Sequence, residues 1–420
     1  MQLVELNEKE YKEFTKNNKA HFLQSYEWGE VSHLRKNKVY YLGLKDDDKI
    51  VASALVLEKK LYSKYTYFYI PRGYTIDYHN KELLKIFTNE MIKFAHEHHA
   101  IYFKIDPAIK LHTIDENANI IEGPNNYDIV KNIESVGFKH LKLTNYFETN
   151  QPRFTFRIPL VGSIEEIENK YTNTTKARIK KALDSEVFVD IGNQDDVKEF
   201  SRLMELTEKR QDFYSHSSEF FNNFYKIFKK SNMVTLYLGK INLLKLKTKL
   251  DKNIKELEDE FNSLKNIDSK KANGRKKEIE KNINSIKSQL EFLKDKPLKT
   301  IVVSSYLIVK YNDFAWALYA ANDMDYKTIY ANYLVYQKQI RDSYNEGYKF
   351  FDVFGTIGNP NAENKLIGLH DFKKKWGGEY TEFIGEFDYI LNPILYFMYK
   401  RIAPIKHKIA NKKLRKGVKK

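Results

Sequence analysis

The 420-residue chain has no cysteine. Disulfides, thiolate nucleophiles and cysteine-ligated zinc are thereby excluded, in agreement with a reducing, cytoplasmic setting. Long apolar runs are missing as well: nothing approaches the roughly eighteen residues that mark a membrane-spanning helix. The opening MQLVELNEKEYKEF has neither the basic start nor the apolar core of a signal peptide, so none is expected. Eleven histidines are present, but His96, His98 and His99 lack a carboxylate at ligand spacing. No metal site is expected there, and His98-His99 should lie on an exposed helix end.

Hydrophobic residues make up 42% of the chain and charged ones 30%, the balance of a globular protein with two or three domains. The net charge of +15 favours polyanionic partners. Part of that excess is terminal: after Asp388 no acid follows, while Lys400, Arg401, Lys406, Lys408, Lys412, Lys413, Arg415, Lys416, Lys419 and Lys420 accumulate. Such a tail is either a solvated segment or one drawn to an anionic inner-leaflet surface, at about 1 kcal/mol per basic residue close to the membrane.

A charged helical hairpin interrupts what otherwise reads as a β-sheet. Strand candidates Met233–Gly239 and Thr300–Lys310 flank it, and Phe314–Ala321 follows the turn Tyr311-Asn312-Asp313. Between them, apolar residues recur at Leu250, Ile254, Leu257, Phe261 and Leu264, then at Ile279, Ile283, Ile286, Leu290 and Leu293. Steps alternating between four and three make the a/d seam of a coiled coil. The break at Asn273-Gly274 predicts two helices folded back antiparallel.

The rest alternates strands and helices. In the first 155 residues a hairpin, Val39–Leu44 with Ile50–Glu58, precedes strand Tyr65–Ile70, helix Lys81–Glu97 and strand Ala100–Asp106. Helix Tyr127–Val136 follows, then strands Lys139–Lys142 and Phe154–Ile158. The order then repeats loosely, ending with helix Thr328–Glu346 and strand Phe350–Phe354. The expectation is α+β: two similar domains, 1–155 and 156–240 with 299–400, an arm over 241–298 inserted in the second, and a basic tail over 401–420.

Near the C-terminus stands GLHDFKKKWGGEYTEFIGEFDYILN, Gly368–Asn392. Its FKKKW core and IGEFDYILN tail resemble the FemABX family, peptidoglycan interpeptide-bridge aminoacyltransferases. Supporting segments run along the chain in order: Tyr69–Asp77 (YIPRGYTID), Tyr102–Pro107 (YFKIDP), Gln151-Pro152-Arg153, Thr175–Ala182 (TKARIKKA), Glu208-Lys209-Arg210, Trp316–Ala321 (WALYAA) and Phe350–Gly355 (FFDVFG). The resemblance implies two tandem GNAT-like domains and transfer of glycine, alanine or serine from aminoacyl-tRNA to the stem peptide of a cell-wall precursor. The arm tilts the acceptor toward the lipid-linked form, lipid II, and its implied role is engaging tRNA or a partner. An activated ester donor requires no ATP, metal or other cofactor.

The reaction needs a base for the attacking amine and a stabiliser for the oxyanion. Lys373, directly after Phe372, matches the family lysine beside the reacting ester; otherwise FKKKW begins a surface strand with Phe372 in the core. Asp106 is a candidate base or amine-positioning group, or else a turn aspartate before Pro107, and Asp352 is similarly placed in the second domain. Arg210 matches a family arginine that reaches precursor phosphates, a task suited to a bidentate guanidinium, though it is equally an ordinary helix-end charge. Tyr319 lies on the strand lining the family's acceptor cleft, or is a core tyrosine. Lys176, Arg178, Lys180 and Lys181 form either a phosphate-contacting patch or a solvated face. One departure concerns the loop after Trp28: Gly29-Glu30-Val31-Ser32 offers no lysine, and Lys36 and Lys38 are out of register for a phosphate. Two other readings share parts of this pattern. A CoA-dependent N-acetyltransferase lacks its Arg/Gln-x-x-Gly-x-Gly/Ala loop here, and a nucleic-acid-binding coiled-coil protein lacks a helix-turn-helix, zinc or RNP pattern.

Overall fold

The computed structural model describes residues 1–144, 150–211, 216–360 and 366–402, with Arg210 and Gln211 by backbone alone. The first hairpin forms where the turn residues place it. Lys38–Asp46 and Lys49–Tyr62 pair antiparallel, Asp46 opposite Lys49, with Asp47 at a left-handed φ of 49°. Aspartate reaches that region because its short side chain can hydrogen-bond locally. Tyr65–Ile70 continues the meander, then helix Lys81–Glu97 crosses over to Ala100–Ile105, which runs parallel to it. The helix buries Leu84, Phe87, Met91 and Ala95, one face at helical spacing, against the sheet.

The second half repeats the plan. Val187–Gly192, Val234–Asn242, Thr300–Tyr311 and Phe314–Asn322 form an antiparallel meander. Helix Ala331–Asn345 then crosses to Phe350–Asp352, parallel to Phe314–Asn322. The protein is thus α+β, two tandem GNAT-like halves.

The sheets are laced more closely than a division at residue 155 implies. The first has the order Gln2–Glu5, Lys38–Asp46, Lys49–Tyr62, Tyr65–Ile70, Ala100–Ile105, Phe387–Ile390, Lys139–His140. The second runs Lys110–Thr113, Glu379–Phe383, Phe154–Pro159, Phe350–Asp352, Phe314–Asn322, Thr300–Tyr311, Val234–Asn242, Val187–Gly192. Lys110–Thr113 and Phe154–Pro159 therefore serve the second sheet, and the C-terminal Phe387–Ile390 returns to the first. Long-range pairing sets these partners, and local pattern does not encode it. A buried ion cluster fixes the exchange: Lys104 Nζ meets Glu386 at 2.6 Å and Asp388 at 3.1 Å. The acids of IGEFDYILN are thereby committed to structure.

The arm leaves and rejoins the sheet at paired residues, Asn242 and Thr300. Its helices are Leu243–Leu264 and Lys270–Leu293. Leu243, Leu246, Leu250, Ile286 and Leu293 bury with Val303, Tyr326 and Ile329 of the body, and Ile254, Leu257 and Leu290 continue the seam. The expected break at Asn273-Gly274 is instead helical. Ser269 begins the second helix by accepting from Ala272 N–H at 3.1 Å, and Gly274 faces open space. An exposed helical glycine costs only about 1 kcal/mol, too little to end a helix that is capped upstream. Arg275 then pins the tip, donating to both carboxylate oxygens of Glu260 at 2.7 and 2.9 Å.

The histidine expectation also changes. His98 caps helix Lys81–Glu97 half-buried against Phe94 and Tyr40, 3.2 Å from Glu58, because the helix end lies on the sheet. No group of three metal-ligating side chains occurs among the described residues. Nor is any helix among them long and apolar enough to cross a membrane. Residues 403–420, most of the basic tail, lie outside the described residues.

Candidate active site

Asp106 follows the last residue of strand Ala100–Ile105, beside the end of its parallel neighbour Tyr65–Ile70. Crevices at the carboxyl ends of parallel strands are where open α/β sheets bind ligands. The carboxylate is buried and accepts from Tyr69 Oη at 2.8 Å and from Arg72 N–H at 2.6 Å. Arg72 sits at a left-handed φ of 60°, which turns that N–H inward. Burial pushes Asp106 up to about 6, outweighing the pull of Arg72. A carboxyl in that range can exchange a proton near neutrality.

Lys373 comes from the end of helix Ile367–Lys374, so FKKKW is the last turn of a helix running into the turn at Lys375-Trp376, where a surface strand was the alternative. Its side chain is buried, and Nζ donates to the carbonyls of Phe354 and Gly355, 2.7 Å each. Phe354 takes a left-handed φ of 59°, and its N–H donates to Asp352 Oδ1 at 2.8 Å. Burial pulls Lys373 down to about 7, with Asp352 opposing.

These two corners belong to different sheets, and a cationic bridge joins them. Asp352 accepts from Arg157 Nε at 3.1 Å and from Thr155 Oγ1 at 2.5 Å. Arg157 and Arg72 both lie over the ring of Phe383, at 4.8 Å each. Asp106 is therefore linked to Lys373 through Arg72, Phe383, Arg157 and Asp352. Apart from Asp352, already considered as a base, these connecting residues were missed in the sequence; PRG in YIPRGYTID was their only signal.

Phe372 is half-buried, its ring 5.2 Å from Tyr333 and 5.3 Å from Tyr336. Tyr333 also accepts a hydrogen bond from Arg178, whose guanidinium lies 5.0 Å from Tyr330 and 5.1 Å from Tyr333. Lys181 stands exposed over Tyr330 at 5.3 Å. Phe372, Arg178 and Lys181 are thus joined through Tyr333 and Tyr330, beside a cavity of about 310 Å³ lined by Arg178, Asn322, Tyr326, Lys327, Tyr330 and Tyr333, while the amine of Lys373 lies apart on the carbonyls of Phe354 and Gly355.

Tyr319 is elsewhere. It packs against Phe221 at 5.3 Å and Phe224 at 5.7 Å, and His216 is 6.1 Å away. Burial pushes its hydroxyl up. The cation that acts on both Tyr319 and His216 is Arg35, which caps helix Tyr26–Leu34. Burial and the charge of Arg35 lower the amine of Lys59. Arg210 is the penultimate residue of helix Val197–Gln211, which packs on Thr300–Tyr311 and Phe314–Asn322. Its side chain lies outside the described residues.

Comparison with known proteins agrees along the full length. The FemAB family profile matches residues 6–403. The lipid II:glycine glycyltransferase of Staphylococcus haemolyticus (strain JCSC1435) is 27% identical over 419 residues, 96% of each chain. That of Staphylococcus saprophyticus is 29% identical over 398 residues, covering 92% of this chain and 93% of the relative. Among solved structures, the crystal structure of FemX superposes with a TM-score of 0.76 at 25% identity, covering 95% of this chain and 99% of that one. A profile match over nearly every described element, with a superposition that spans both halves, leaves one assignment: the chain belongs to the FemAB family.

Proposed function

We propose that the protein transfers an amino acid from aminoacyl-tRNA to a side-chain amine of a lipid-linked peptidoglycan precursor. The observation that carries this reading is the placement of a buried carboxylate, Asp106, at the strand-end crevice of one sheet and a buried amine, Lys373, in the other half, joined through Arg72, Phe383, Arg157 and Asp352. The relatives named lipid II:glycine glycyltransferase supply the substrate class and make glycine the first donor to try, with alanine and serine next.

In the proposed reaction, ionised Asp106 accepts a proton from the acceptor's ammonium, and the freed amine attacks the ester carbonyl. The Lys373 ammonium offsets the charge developing on the carbonyl oxygen. Collapse of the tetrahedral centre forms the amide and releases the tRNA hydroxyl. An ester donor carries its own activation, so neither nucleotide nor metal takes part. Phe372, Arg178 and Lys181 are assigned to the donor's RNA end, where tyrosine faces and guanidinium suit bases and phosphates. Arg35, Lys59, Tyr319 and Arg210 are assigned to the precursor, and the basic tail to the anionic surface that carries it.

Acetyl-CoA fits less well. In a GNAT-like half the pyrophosphate would sit before the crossover helix. Ahead of Ala331–Asn345 stands Asn322-Asp323-Met324-Asp325, with Asp323 accepting from the backbone of Asp325 at 3.1 Å. Ahead of Lys81–Glu97, Asn80 already occupies the N–H of Leu83 at 3.0 Å. Two acids and a self-capped helix oppose a pyrophosphate.

The test is transfer by purified protein to lipid-linked precursor from tRNA charged separately with labelled glycine, alanine or serine. Label in the precursor from any of the three is the expected result. No label in lipid-linked or soluble precursor, with acetyl-CoA consumed, would overturn it.

A further inference from the structure

Between the two halves lies a second cavity, of about 230 Å³, lined by His21, Arg72, Tyr74, Ile109, Arg157 and Trp316 among others. It opens beside the ends of strands Tyr65–Ile70 and Ala100–Ile105, immediately past Asp106. Arg72 is 7% exposed, and its Nε is buried without a hydrogen-bond partner among the described residues. Its other contacts are committed: one terminal nitrogen donates to Pro152 O at 3.1 Å, and the backbone N–H to Asp106. Arg157 contributes a second guanidinium over the same phenylalanine ring. His21 Nδ1 accepts from Leu23 N–H at 3.1 Å, which leaves the proton of its neutral ring on Nε2 as a third donor. Burial and both arginines hold His21 well below the usual imidazole range, so it stays neutral.

We propose that this cavity is a carboxylate subsite for the acceptor peptide, with Arg72 and Arg157 holding the carboxylate and His21 donating to it. This rests on the transferase reading above. The guanidinium groups of the buried Arg72 and the half-buried Arg157 match a planar carboxylate, and walls of Tyr74, Pro107, Ile109 and Trp316 make the surroundings less polar and strengthen the pair. Arg72 and Arg157 lie beside Asp106 and Asp352, so a monoanion suits the site better than a dianionic phosphate. The volume falls below the range typical of nucleotide-sized ligands but holds one side chain. Because one turn supplies both Arg72 and the N–H bound to Asp106, a peptide would be read at its amine and at a nearby carboxylate together.

The experiment measures kcat/KM for transfer to three acceptors: the unmodified precursor, one amidated at the peptide's terminal carboxyl, and one amidated at its internal carboxyl. Wild type should lose about tenfold or more with one of the two amides, which names the carboxylate concerned. In Arg157→Gln and Arg72→Lys that ratio should fall toward one. Arg157→Gln stands as the second variant because Arg72 also holds Pro152. Equal use of all three acceptors by wild type, or undiminished discrimination by both variants, would overturn the subsite and leave the transferase reading intact. Failure of every acceptor with every charged tRNA would overturn both.

Discussion

Replacing Lys373 by Met tests whether a buried amine is held against its own desolvation. The amine's drop from 10.5 to about 7 corresponds, at about 1.4 kcal/mol for each pH unit, to roughly 5 kcal/mol of stability forgone when the folded protein must be protonated. A methionine of similar length removes that term but leaves the carbonyls of Phe354 and Gly355 without their donor, at about 1–3 kcal/mol each. Near pH 6 the two effects roughly cancel, and the variant should be about as stable as wild type. The pH dependence decides the matter. Between about 7 and 10.5 the unfolded chain holds the Lys373 proton and the folded chain does not, so wild type gains on Lys373→Met as pH rises, by at most about 1.4 kcal/mol per unit. Below about 7 both states are protonated and the difference should be flat. Urea unfolding of both proteins across pH 6–10 measures it. A difference that stays constant through that window would refute a strongly lowered amine. Transfer by Lys373→Met should fall about a hundredfold or more below about pH 7, where wild type carries the ammonium, and the gap should narrow as pH rises above that.

The wild-type pH profile of kcat/KM should be bell-shaped and narrow, with an acidic limb near 6 from Asp106 and a basic limb near 7 from Lys373. Asp106→Asn should abolish the acidic limb along with most activity, and a surviving limb would assign it to another group. Removing only the distal arm, from Lys252 to Gln289, should leave the melting temperature within a few degrees, since Leu243, Leu246, Leu250 and Leu293 at its base remain buried. If the arm engages tRNA, the same deletion should raise KM for charged tRNA several-fold, and an unchanged KM would leave the arm to a partner instead. Trp376→Ala should destabilise by about 3–5 kcal/mol in denaturant unfolding, because the ring is fully buried against Tyr171, Tyr333 and Tyr336.

Local elements were largely legible in the chain. Periodicity located helix Lys81–Glu97 and strand Tyr65–Ile70 to the residue, and the apolar seam located the arm. Errors arose where a local cue competed with another nearby. Asn273-Gly274 reads as a break, yet Ser269 caps earlier and the exposed glycine is tolerated. Of the candidate residues, the structure brings Phe372, Arg178 and Lys181 together around Tyr333 and Tyr330 and sets Tyr319 apart, near Arg35. Arg72, Arg157 and Arg35 carry no spacing signal, since each acts through partners from distant segments.

By itself the sequence determined the elements, the class and the arm, because backbone propensity and the alternation of apolar residues act over a few neighbours. It also marked FKKKW and YFKIDP as places where chemistry should lie. Only the tertiary structure decided that Lys110–Thr113 and Phe387–Ile390 exchange sheets, and that Lys373 and Asp106 lie at two ends of one buried arginine-phenylalanine bridge. The physical reason is desolvation: a lowered amine and a raised carboxyl follow from burial, which exists only once segments distant in the chain, such as Arg72 with Asp106 or Phe354 with Lys373, fold against each other.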